Sequence, residues 1–197
     1  MDIVKAQTSF YSEDEIKEIG FRSVGKNVLI SRFARFYHPE RIGIGSHVRI
    51  DDFCIFSAGS SIEIGDYIHI GCYASFIGNG EILLEDYCSI SGRVSIYSSS
   101  DDYTGMAMTN PMVPSQFTYT KSAPVYLHKH SIVGCGSVIL PGITLHEGAS
   151  VGAMSLVNKD CEAESVYSGI PARKVSKRLQ RYHKIEQKFE EWRRGND

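Results

Sequence analysis

No window of this sequence is apolar for long enough to cross a bilayer. The first ten residues, Met1 to Phe10, carry Asp2 and Lys5 where a secretory leader needs an uninterrupted apolar core. The expectation is a soluble, cytoplasmic protein without a membrane span. Basic residues are not in surplus: 21 Lys and Arg stand against 23 Asp and Glu, for a formal net charge of -2. Gripping a phosphate backbone requires a clear positive excess, so nucleic acid is not an expected partner. Cysteine is sparse and odd in number, five in all, with no CxxC pair. That argues against a disulfide scaffold and for free thiols in a reducing compartment. Hairpin dipeptides are scarce too, with Asp-Gly absent and Asn-Gly found once, at Asn79-Gly80. An antiparallel sandwich with tight two-residue turns is therefore disfavoured.

What the sequence does contain is a period. Large apolar residues recur every six positions in linked runs: Ile44, Ile50, Phe56, Ile62; then Ile64, Ile70, Phe76, Ile82; then Leu84, Ile90, Ile96. After an interruption the spacing resumes at Leu127, Val133, Ile139, Leu145, Val151 and Val157. Ile, Val, Leu and Phe make up about a quarter of the chain yet fill all seventeen of these slots. Four residues after most of them stands a short side chain, such as Cys54, Ala74, Cys88, Ser131, Ser137, Ala149 or Cys161. A period of six matches neither the 3.6 of a helix nor the 2.0 of a lone strand. It suits a prism of three faces, each one short strand, with small side chains at tight corners. The first runs start twenty residues apart, whereas Leu127 and Leu145 are eighteen apart, so two residues are inserted at one corner of the early coils.

The pattern divides the chain into a helical segment at 1–23, a β-helix at 24–170 and a C-terminal helix at 171–197. Within the first, Ser12-Glu13-Asp14-Glu15 has the form of a capping box running toward Gly20. In the last, Val175, Leu179, Tyr182, Ile185, Phe189 and Trp192 fall at three- and four-residue steps, an amphipathic helix beyond Pro171. Both helices are expected to cover open ends of the solenoid. The segment 98–124 lacks the spacing and reads as a long excursion from one corner, the kind of loop that carries function.

The stretch from Val133-Gly134-Cys135-Gly136 to Ile143-Thr144 resembles the hexapeptide-repeat acetyltransferases, among them the galactoside, maltose and xenobiotic enzymes. So do Val151-Gly152-Ala153-Met154-Ser155-Leu156-Val157-Asn158-Lys159-Asp160 and Gly169-Ile170-Pro171-Ala172-Arg173. Arg49-Ile50-Asp51-Asp52-Phe53 and Ser95 to Tyr103 are similar to a branch that N-acetylates nucleotide-linked, chiefly dTDP-linked, 4-amino-4,6-dideoxy sugars for surface polysaccharide and O-antigen. The resemblance implies an all-β fold, a left-handed parallel β-helix, and a homotrimer with active sites between subunits. It further implies direct transfer from acetyl-CoA, without a metal and without a thiol intermediate.

By position, the resemblance assigns Gly134, Ala153, Asn158, Lys159 and Arg173 to coenzyme A. Small residues let a pantetheine arm approach the backbone, and the two cations suit its phosphates. A turn-forming role for Gly134 and Ala153, and a solvated one for Arg173, are the competing readings. In the galactoside branch a His of the projecting loop serves as base, but no His lies between 98 and 124 here. Asp101 falls about where that His belongs, with Asp102 beside it. A carboxylate is a weak base toward an alcohol, whereas an amine asks only to be bound, oriented and relieved of a proton. The loop therefore favours an amino sugar as acceptor. His69, stacked with Arg49 and Ser89 in the twenty-residue register, is the alternative base. Tyr73, Arg93, Tyr97 and Tyr103 are candidates for holding sugar or nucleotide.

Three other readings remain on the sequence alone. One is O-acetylation of a galactoside or other sugar hydroxyl. Another is a zinc site on His128, His130 and His146, since the same solenoid hosts carbonic anhydrases with three-His zinc. The last is a scaffold without catalysis.

Overall fold

The computed structural model describes residues 9–195. The start of the N-terminal segment and the last two residues lie outside that range. The repeat region is a left-handed parallel β-helix. Its first face stacks six strands, beginning Ser23–Val24, Ile42–Ile44, Ile62–Ile64 and Ile82–Leu84 and ending at Val125–Leu127 and Thr144–Leu145. The second carries eight, from Leu29–Ile30 to Ser165–Ser168 and Arg173–Lys177, and the third six, from Arg35–Tyr37 to Leu156–Val157. The strands are two to five residues long because the chain must turn after each.

Register follows the period. Ile50 pairs with Ile70, Ile70 with Ile90, Ile90 with Val133 and Val133 with Val151, so identical slots stack along the axis. Every one of the seventeen slots is buried and together they form one cylindrical core. At its centre Phe36, Phe56 and Phe76 stack ring on ring, with centroids 5.0 and 4.8 Å apart. The two extra residues of the early coils do more than widen a corner. They lengthen the first-face strands, so that both Ile62 and Ile64, and both Ile82 and Leu84, point inward.

The corners use left-handed backbone at non-glycine residues: His47, Tyr67, Tyr87 and His130 between the first and second faces, and Phe53, Tyr73 and Arg93 between the second and third. Each such residue costs about 1 to 3 kcal/mol. The repeat offsets this by stacking like upon like, with rings 4.4 Å apart for His47 and Tyr67, 5.4 Å for Tyr67 and Tyr87, and 5.0 Å for Tyr87 and His130.

Helix α1, Glu13–Ile19, has the expected capping box and ends at Gly20 in the left-handed conformation. It buries Ile16 and is tied to the first coil by a bidentate Arg32–Glu15 pair at 2.7 and 2.6 Å. The C-terminal expectation needs correcting. Residues Arg173–Lys177 form a strand paired antiparallel with Ser165–Ser168, and helix α2 spans only Arg181–Arg194. The exposed edge of the last coil takes up the preceding segment first, because unpaired strand groups there outweigh the helical spacing of Val175 and Leu179. Nor does α2 cover an end: it lies back along the aromatic corner, where Phe189 meets Tyr67 edge-on at 5.1 Å. Glu186 reaches Lys129 at 2.6 Å and His130 at 2.8 Å, and Glu190 accepts from the Tyr87 hydroxyl. Among the described residues no helix is long and apolar enough to cross a membrane.

Candidate active site

The excursion leaves the third face after Tyr97 and returns to the first at Val125. Its stem is a two-stranded antiparallel ribbon in which Ser99–Asp101 pairs with Thr120–Ser122. Buried Ser98 anchors it, donating from Oγ to the Gly80 carbonyl at 2.8 Å. The ribbon thus stands on the rigid solenoid and holds Asp101 over the outer surface of the third face.

There Asp101 enters a groove of about 610 Å³ lined by Tyr97, Ser99, Ser100, Tyr103, Val138, Leu140, Pro141 and Leu156. A second hollow, about 620 Å³, lies along the ribbon and is lined by Asp101, Asp102, Tyr103, Met106, Tyr119 and Lys121 among others. Three residues singled out from the sequence, Asp101, Tyr97 and Tyr103, therefore share one groove. The apolar floor was missed. Val138 and Leu156 occupy outward positions directly before the core residues Ile139 and Val157, where the two preceding coils carry Ser75 and Ser95. An apolar residue in an outward slot is the signal that would have found them.

Asp102 does different work from Asp101. Its carboxylate accepts from the Thr104 hydroxyl at 2.6 Å and from the backbone N–H groups of Thr104, Met106 and Ala107 at 2.8, 2.7 and 3.0 Å. Led by the Thr104 hydroxyl bond, these donors hold its pKa down at about 2. Both oxygens are occupied in shaping the loop. Asp101 carries a lighter load, one bond on each oxygen, from Thr120 Oγ1 at 3.3 Å and from the Asn110 N–H at 3.2 Å.

His69 lies elsewhere, on the outer side of the second face. Its Nε2 is 2.8 Å from Asp51 Oδ2, while Arg49 Nε donates to Asp51 Oδ1 at 2.7 Å. Partial burial pushes the Asp51 pKa up, but these two partners outweigh it and hold the group below the usual carboxylate range. Tyr73 and Arg93 belong to the neighbouring corner, where Tyr73 stacks on Phe53 at 5.0 Å and Arg93 lies over the Tyr73 ring at 5.8 Å. In a single chain these residues and the Asp101 groove are separate.

The residues assigned to coenzyme A sit on the late coils that also floor the groove. Asn158 follows Val157 and Leu140 follows Ile139, and the backbone N–H of Leu140 bonds to the Val157 carbonyl at 3.1 Å, which sets Asn158 and Lys159 one coil beyond Leu140 and Pro141. Ala153, Asn158, Lys159 and Arg173 are exposed, and Lys159 has no carboxylate partner among the described residues. Gly134 has a packing reason as well: a Cβ there would come within 2.5 Å of the Ala153 backbone nitrogen.

The three histidines considered for zinc are separately engaged, His128 with Glu85 at 3.0 Å and His130 with Glu186, while His146 stacks on His128 at 5.8 Å. Cys54, Cys88 and Cys161 are buried, and burial pushes each thiol up to about 12. Cys72 and Cys135 are exposed and free.

No protein-family model matches the sequence. A dTDP-4-amino-4,6-dideoxy-D-glucose acyltransferase from Escherichia coli, however, is 51% identical over 182 residues, covering 92% of this chain and 95% of that protein. This chain belongs to the hexapeptide-repeat acyltransferases. Among solved structures of that family, AntD, an N-acyltransferase from Bacillus cereus, superposes with a TM-score of 0.90 at 42% identity. The match covers 94% of this chain and 98% of AntD, which was solved in complex with dTDP and 3-hydroxybutyryl-CoA. Further AntD structures carry substitutions at an aspartate and at a serine ten residues before it. A maltose O-acetyltransferase from Clostridium difficile 630, at 22% identity and a TM-score of 0.58, shares the fold. The candidate groove of this chain is framed by the ribbon, the third face and the late coils.

Proposed function

We propose that this acyltransferase moves an acyl group, acetyl in the first instance, from coenzyme A to the 4-amino group of a dTDP-linked 4-amino-4,6-dideoxyglucose. The observation that carries the reading is Asp101, a carboxylate with room to accept, held over the groove of a chain half identical to an enzyme of that activity. The AntD spacing supports Asp101 over its neighbour. Ser91 stands ten residues before Asp101, whereas Gly92 stands ten before Asp102.

Asp101 first binds the sugar ammonium and accepts its proton. The neutral amine then attacks the thioester carbonyl, the nitrogen of the tetrahedral adduct gives up a second proton to the departing thiolate as the carbon–sulfur bond breaks, and the proton held by Asp101 is released to solvent. Because amine and thioester react directly, the protein chiefly supplies alignment and one proton acceptor. Val138 and Leu156 offer an apolar bed for the pantetheine arm, with Lys159 and Arg173 within the same coils for the phosphates. Tyr97 and Tyr103 take the sugar side. A thiol-release assay with dTDP-4-amino-4,6-dideoxyglucose and a panel of galactosides tests the acceptor. Turnover is expected with the amino sugar; turnover with galactosides alone overturns the reading.

The functional unit is a homotrimer, in which the loop of one subunit meets the coils of the next and brings the Tyr73, Arg93 and His69 surface toward an Asp101 groove. Support comes from apolar side chains left in water by the single chain: Tyr103 is 93% exposed, Met106 and Met112 each 90%. Patches of this kind mark association surfaces. Sedimentation equilibrium should return about three times the 22.0 kDa chain mass; a monomer at micromolar concentration would refute the assembly. The enzyme works in the cytoplasm, where acyl-CoA is at hand, and its product feeds surface polysaccharide such as O-antigen.

A further inference from the structure

The two donors that hold Asp101 come from different parts of the excursion. Thr120 is its cross-strand partner in the ribbon, so the ladder itself brings the hydroxyl to Oδ1 at 3.3 Å. The Asn110 N–H arrives from nine residues along the loop and reaches Oδ2 at 3.2 Å. Asn110 sits in the left-handed conformation at φ 71° and turns the chain there, its side-chain oxygen accepting from the Met112 N–H at 3.0 Å. One carboxylate is thereby clamped through both oxygens, from the strand opposite and from the loop.

We propose that Thr120 is a positioning residue for acyl transfer, acting through Asp101. This rests on the reading of Asp101 as the group that binds and deprotonates the amine. With one donor per oxygen, rotation of the carboxylate about its Cβ–Cγ bond is restrained. Each oxygen keeps a further lone pair for the substrate ammonium. Asp102 cannot substitute, because its oxygens are consumed by Thr104, Met106 and Ala107. Thr120 lies on a paired strand, not on the loop tip, so the restraint is as fixed as the stem.

Steady-state kinetics for Thr120→Val and Thr120→Ser, each also in an Asp101→Ala background, test the inference. Valine keeps the β-branched shape and removes the hydroxyl. It is expected to lower kcat/KM for the amino sugar about ten- to a hundredfold, the effect of losing one hydrogen bond to a charged group. KM for the acyl-CoA should stay put, and serine should restore kcat/KM. In the Asp101→Ala background, assayed at alkaline pH where the free amine predominates, valine should change residual turnover by less than about twofold. A wild-type kcat/KM in Thr120→Val overturns the inference, as does an equal loss in the Asp101→Ala background. So does a natively folded Thr120→Ser, judged by circular dichroism, that remains impaired. Wild-type turnover in Asp101→Ala alone instead removes the reading of Asp101 on which the inference rests.

Discussion

Asp101→Asn is expected to lower kcat by about a hundredfold to ten-thousandfold, the range supplied by a positioned proton acceptor, with His69→Ala costing less than about tenfold. Asparagine keeps the size of the side chain and one accepting oxygen but removes the charge that draws in the ammonium and the site that takes its proton. The variant should recover part of its turnover as pH rises, because a larger fraction of the acceptor amine is then already neutral. His69 in the structure is committed to Asp51 on another face, and contributes at most by shaping the acceptor side once subunits meet. Thiol release measured from pH 6.5 to 9 (an assay range) distinguishes the two. The reverse ranking would move the base to His69, and a flat ranking would leave alignment as the whole of catalysis.

Phe76→Ala is expected to destabilise the fold by about 3 to 5 kcal/mol and to lower the melting temperature by about 10 °C or more. Phe76 is fully buried and lies nearly parallel to Phe56, with 3° between the ring planes and 4.8 Å between centroids. Rows above and below are locked by the parallel ladder, so the backbone cannot close over the missing ring. The cavity stays open and its lining loses contacts on one side. Thermal unfolding followed by circular dichroism measures the shift. A change under about 3 °C would mean that the coil does collapse into the space.

The six-residue period was legible because every coil repeats the same three inward positions, so the core slots from Ile44 to Val157 could be written down before any coordinates. The hand of the helix was not, since spacing is identical in either hand. The boundary of α2 was misread for a physical reason. Val175 and Leu179 continue the helical spacing, but the edge at Ser165–Ser168 competes for the same chain and wins. At the site, the absence of a loop histidine exposed Asp101. The Asp102-Tyr103-Thr104 sequence, a side-chain-to-backbone turn, held the clue that Asp102 is structural. Thr120 left no local trace, because its role arises from cross-strand register nineteen residues away.

A solenoid of stacked coils is ordinarily a one-dimensional object, in which each turn is stabilised only by its neighbours and the ends can fray independently. Helix α2 breaks that locality. Near its start, Tyr182 bonds to Glu164 of the last coil, and near its end Arg193 lies 5.6 Å over the ring of Tyr67, several coils earlier. Between them Glu186 and Glu190 hold His130 and Tyr87. Peeling the final coil away therefore also detaches the clasp on the middle ones, so the melting of one end is felt along the barrel. The groove floored by Val138 and Leu156 lies on the coils inside that span, where its geometry is guarded by the molecule as a whole.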